Sequence, residues 1–151
     1  KTAALIACAC ELGARFGDPD LPGARLDQVR RAGVQMGHAF QLIDDLLDVF
    51  GDDALGKPRW ADLDGAWLTL PFIRLLGAQP QWAGPLLGGR PDASTRQRVR
   101  RALAEEGLYD GLTAEAGALL DEALGRLAWL PDSPLKATLF DTIDFIAKRR
   151  R

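Results

Sequence analysis

Apolar residues recur along most of the chain at spacings of three and four, the signature of one helix face. No stretch alternates strictly between polar and apolar with β-branched residues, as a half-buried strand would. Lys1 to Phe16 reads as an Ala-rich helix with no visible start, followed by a Gly- and Pro-containing loop from Gly17 to Gly23. A long helix without proline runs from about Ala24 to Phe50, and Gly51 to Trp60 is a polar loop. Thr69-Leu70-Pro71 starts a further helix, with Thr near the N-cap and Pro in the first turn. Between Gly77 and Pro91, the breakers Pro80, Pro85, Gly88 and Gly89 leave room for at most a short helix. Ser94 to Glu106, about Leu108 to Trp129, and Pro134 to Lys148 complete the set, the last with Ser133 as N-cap and Pro134 at the first helical position. The prediction is an all-α chain with residues 1–151 in a single domain.

Composition narrows the function classes. Ala and Leu far outnumber Val and Ile, which weights the chain toward helix. With 47% hydrophobic and 26% charged residues, disorder is excluded as the default. No window approaches the roughly 18 uninterrupted apolar residues of a membrane span. A formal net charge of −2 argues against nucleic acid as the main partner. Cys8 and Cys10, two apart on one helix, point to nearly opposite sides and cannot bridge each other. With a single His they are too few for a zinc site, and they read as reduced, buried small residues of a cytoplasmic protein.

The chemistry concentrates in Phe40-Gln41-Leu42-Ile43-Asp44-Asp45-Leu46-Leu47-Asp48-Val49-Phe50. Counting from Gln41, Asp44, Asp45 and Asp48 fall at i+3, i+4 and i+7, on one helix face, and every other residue of the window is apolar. Such a helix is apolar around most of its circumference except for a carboxylate stripe. Two carboxylates about 4 Å apart repel by roughly 1 kcal/mol in water and about 4 kcal/mol at an effective dielectric of 20. In an enclosed site the remedy is proton uptake or a cation, and no Lys or Arg lies between His38 and Gly56 to supply one. Oxygen-only ligands suit Mg²⁺, which takes one or two carboxylates, waters and phosphate oxygens. The competing reading is a solvated acidic face, and the nearly complete apolar remainder weighs against it. His38, three residues before Gln41, reads as a hydrogen-bonded structural residue. Lys57, in the loop just past the acidic helix, and the Lys1-Thr2 pair are the basic elements placed to answer a phosphate.

These residues resemble a known family. Phe40 to Asp48 is similar to the second aspartate-rich motif, FQxxDDxxD, of the trans-type isoprenyl diphosphate synthases. Gly56-Lys57-Pro58, Asp62-Leu63 and Leu68-Thr69-Leu70-Pro71 follow at that family's spacing. Lys1-Thr2-Ala3 resembles the Lys-Thr motif that precedes the region, and the tail with Leu130-Pro131-Asp132-Ser133 and a basic end is also similar. The resemblance implies an isoprenoid synthase-type helical bundle around a central cavity. It implies Mg²⁺-assisted ionisation of an allylic diphosphate, then head-to-tail addition of isopentenyl diphosphate. By position, Asp44, Asp45 and Asp48 would hold Mg²⁺ on the allylic diphosphate, and Lys1 and Lys57 would contact that diphosphate. Thr2 and Gln41 would lie beside the reacting carbons.

The departures are specific. The family usually has Gly-Lys where this chain has Ala66 and Trp67, so a cation on the diphosphate becomes a large aromatic ring. Trp60 stands where Gly is common. No second DDxxD-type motif is found, and the chain opens at the Lys-Thr motif, so it reads as the C-terminal half of one polyprenyl synthetase domain. The leading expectation is therefore half of a prenyltransferase, inactive alone, associating with itself or with a chain that carries the first aspartate-rich motif. The alternative is a non-catalytic regulatory or interaction subunit of such a synthase. A class I terpene cyclase ranks last, because the Asn/Ser/Glu-type triad typical of those enzymes is missing. The arginines at 96, 98, 100 and 101 and the Lys148–Arg151 tail read as a solvated helix face and a cationic helix end.

Overall fold

A computed structural model of the chain describes residues 1–51 and 59–148. Among the described residues there are eight α-helices, one 3-10 turn and no strand. The helices are α1 (Thr2–Gly17), α2 (Gly23–Phe50), α3 (Ala61–Asp64), α4 (Leu70–Ala78), α5 (Ala83–Leu87), α6 (Ala93–Glu105), α7 (Leu108–Leu127) and α8 (Pro134–Lys148). The 3-10 turn, Pro80–Trp82, and the five-residue α5 fill the stretch that its prolines and glycines broke up.

The helix starts follow local chemistry. Asp92 caps α6 by accepting the Thr95 N–H at 2.7 Å, so the helix begins at Ala93, one position before the predicted start. Ser133 caps α8 by accepting the Lys136 N–H at 3.1 Å, with Pro134 at the first position where its missing N–H costs nothing. Lys136 closes the preceding turn by donating its ammonium to the carbonyls of Ala128 and Leu130 at 3.1 and 2.7 Å. Thr69 occupies the N-cap of α4 with no side-chain capping bond, and its hydroxyl is buried without a partner.

The chain forms two compact units. The first contains Lys1–Ile43 and, of the described residues, 115–148. Its core draws on Val29, Ala32, Met36 and Ala39 of α2, on Ala116, Leu120, Ala123 and Leu127 of α7, and on Ile143 of α8. Those positions repeat at the three- and four-residue spacing that the sequence pattern gave. Gln35 ties the two longer helices by hydrogen bonds with Glu122 and with the Arg126 Nε. α1 lies close to α2 because two glycines permit it. A Cβ on Gly33 would come 2.6 Å from the Ala7 Cα, and one on Gly37 would come 2.3 Å from the Ala3 Cα.

The second unit, Asp44–Ala114, has a core of its own. Val49, Trp60, Leu63, Phe72, Leu75, Trp82, Leu86, Val99 and Leu103 are all buried in it. Phe72 and Leu75 are fully enclosed, and the Trp60 ring stacks on Phe72 at a centroid distance of 6.1 Å.

Candidate functional site

In the first unit the Gly33–Ala7 and Gly37–Ala3 contacts set the register of α1 on α2. One turn further along, this register brings Thr2 to Gln41: the Thr2 hydroxyl donates to the Gln41 Oε1 at 3.2 Å. The two residues predicted beside the reacting carbons are therefore in direct contact. Lys1 is exposed at the N-cap of α1, where its carbonyl accepts the Leu5 N–H at 3.1 Å. His38 is also exposed, on a groove of about 530 Å³ shared with Cys8, Glu11 and Leu12. Cys8 is exposed rather than buried, a correction to the sequence reading. The outer face of α1 is uncovered here, with Leu5 at 73% and Phe16 at 85% exposure. Cys10 is half-buried, and desolvation pushes its thiol above the usual range.

In the second unit the acidic end of α2 is graded in burial. Asp44 is half-buried, and Asp45 is buried with 6% exposure, an uncommon position for a carboxylate. Asp48 acts on the start of α3: its carbonyl accepts the Trp60 N–H at 3.0 Å and its Oδ1 accepts the Ala61 N–H at 2.9 Å. Its other oxygen, Oδ2, is buried and has no hydrogen-bond partner. Burial raises the Asp48 carboxyl above the usual range, and the neighbouring Asp62 carboxylate raises it further. The backbone N–H groups of Ala61 and Asp62 oppose that shift, and Asp44 adds to it.

Asp62 is the residue that sequence reasoning missed. It was placed by spacing alone and given no role. Its charge acts on Asp48 from α3, and nothing in helical periodicity pairs a residue of α2 with one thirteen or fourteen positions on. Among the described residues, no group of three His, Cys, Asp or Glu converges as a preformed metal cage. Mg²⁺ does not need one, because waters and phosphate oxygens complete its shell. The donor chemistry fits: oxygen-only ligands, mutual carboxylate repulsion and a buried carboxylate oxygen with no proton donor. Lys57 lies outside the described residues.

The two departures share a backbone feature. Trp60 has φ 68° and Ala66 has φ 61°, both in the left-handed region that glycine adopts without steric cost. They are the two positions at which the resembled family has glycine. Trp60 is held there by its buried ring, whereas Trp67 is 70% exposed.

The fold is that of the helical isoprenyl synthases. The structure matches that of a polyprenyl synthase from Caulobacter crescentus CB15, complexed with calcium and isoprenyl diphosphate. The TM-score is 0.85 at 29% identity, over 100% of this chain and 47% of that one. The family model described as polyprenyl synthetase matches residues 1–105, and the chain belongs to that family. It is 33% identical to a geranylgeranyl diphosphate synthase of Mycobacterium tuberculosis, over 99% of this chain and 43% of that protein. It is 34% identical to heptaprenyl diphosphate synthase component 2 of Geobacillus stearothermophilus, over 99% of this chain and 47% of that protein. The chain thus spans less than half the length of these relatives. No helix among the described residues is long and apolar enough to cross a membrane.

Proposed function

We propose that this chain is the C-terminal half of a trans-prenyl diphosphate synthase acting in the cytoplasm. In this reading Asp44, Asp45 and Asp48 hold Mg²⁺ together with the diphosphate of an allylic substrate. The observation that carries it is the half-buried Asp48 carboxyl, set near like charges and with one buried oxygen unpartnered. A divalent cation relieves that arrangement and a phosphate-bearing ligand completes it. Bound Mg²⁺ supplies charge neutralisation of the leaving diphosphate.

The protein's own residues do the rest. Lys1 and Lys57 bring ammonium groups to the diphosphate. Thr2 and Gln41, locked to each other at 3.2 Å, offer oxygen lone pairs that stabilise positive charge developing on the allylic carbons. Condensation also needs a second carboxylate motif and an isopentenyl diphosphate site, which a partner chain or a further part of the protein supplies. The name of one relative, component 2 of a heptaprenyl diphosphate synthase, supports a two-chain arrangement.

The purified chain, given an allylic diphosphate and isopentenyl diphosphate, is expected to make no prenyl diphosphate. Paired with a chain that carries the first aspartate-rich motif it gains turnover, and Asp44→Asn abolishes that gain. Robust turnover by the 151-residue chain alone overturns the proposal. The exposed Trp67, standing where the family has a diphosphate-binding lysine, favours a second reading, a non-catalytic interaction subunit. If Asp44→Ala and Asp45→Ala leave the chain's effect on a synthase unchanged, that second reading holds.

A further inference from the structure

We propose a second anion site, on α6, that takes a phosphate-bearing ligand without a metal. α6 buries Val99, Ala102 and Leu103 and turns Gln97, Arg100, Arg101 and Ala104, at i, i+3, i+4 and i+7, to a different side. These four residues, with Arg98 and the Phe50 ring, line a groove of about 610 Å³ within the second unit.

Two of the arginines there are preorganised. Arg100 lies 5.4 Å from the Phe50 ring centroid and donates to the Phe50 carbonyl at 3.5 Å. Arg98 lies 5.4 Å from the centroid of the buried Trp82 ring. Resting on an aromatic face restrains the planar guanidinium and leaves edge N–H groups to donate, the geometry that matches phosphate in a two-pronged fashion. Neither Arg98 nor Arg100 has a carboxylate ion pair among the described residues. Arg96 differs, being paired with Asp64. Among the described residues, Glu105 reaches Arg101 at 3.6 Å on a largely exposed pair, and Asp92 feels Arg98 weakly. The result is a concave surface with three cationic forks, which favours a compact dianion or trianion over water and chloride.

A phosphate or diphosphate group fits this chemistry, whether free in solution or on a lipid headgroup. Calorimetric titration of the full chain with inorganic pyrophosphate in EDTA separates this site from the metal-dependent one at the end of α2. Saturable binding is expected, weakening steeply with salt. It should weaken at least tenfold in Arg98→Gln/Arg101→Gln and be unchanged in Arg15→Gln, an arginine of α1 that pairs with Glu11. Sedimentation with phosphatidate-containing vesicles, against phosphatidylcholine alone, tests the lipid source with the same variants. Loss of either binding in the double variant, with an unchanged thermal melt, supports the site and names its source. Absence of both, or binding that Arg98→Gln/Arg101→Gln leaves intact, overturns it.

Discussion

At Asp48, desolvation and neighbouring carboxylates act in the same direction. Its folded pKa is raised, so the neutral form is favoured by the fold. The associated stability is fully present below the unfolded carboxylate pKa and is lost as pH rises through the folded value. Asp48→Asn, which keeps an acceptor for the Ala61 N–H, is therefore expected to melt higher than the wild type at pH 7. The two melting curves should converge toward pH 3. A wild type more stable than Asp48→Asn at neutral pH without metal contradicts this. The left-handed positions give a paired expectation. Ala66→Gly relieves an unfavourable φ and should stabilise by roughly 0.5–1 kcal/mol in urea unfolding. Trp60→Gly relieves the same strain but removes a buried ring, and should destabilise by about 3 kcal/mol or more. Both departures were legible as letters, since each replaces glycine in a recognisable motif. Their left-handed backbone was not, because Trp and Ala give no local signal for it.

At the scale of elements, the glycines of α2 decide where Thr2 sits. Gly37→Ala drives a methyl into the Ala3 backbone, and overpacking of that kind costs about 1–3 kcal/mol. The substitution should also push α1 away and break the Thr2–Gln41 hydrogen bond. Gly117→Ala, in α7 with open space around it, is the contrast: it should be stabilising by up to about 1 kcal/mol. Chemical denaturation of the two variants separates these cases. Helix starts were well marked in the sequence because caps and prolines act locally, as Ser133-Pro134 shows. Helix ends were less so: nothing in Ala128-Trp129-Leu130 breaks a helix by residue type, yet α7 stops at Leu127 rather than near Trp129. The close approach of α1 and α2 left no sequence signal beyond two glycines that also suit a turn or a cap.

At the scale of the whole molecule, the chain spans less than half of its relatives and leaves Leu5, Leu12 and Phe16 exposed along α1. Apolar surface of this kind drives association. Leu5→Glu/Leu12→Glu is expected to shift the sedimentation of the purified chain toward the monomer. The all-helical class and the acidic stripe were readable from periodicity and residue type. The contribution of Asp62 was not, because it depends on how the chain folds back after α2. The central claim, that the end of α2 is half of a metal–diphosphate site, is met most directly by calorimetry with an allylic diphosphate, with and without Mg²⁺. The account predicts an increment of binding that appears only with Mg²⁺ and falls at least tenfold in Asp44→Asn/Asp45→Asn. A Mg²⁺ increment that survives this double substitution, or none in the wild type, contradicts it.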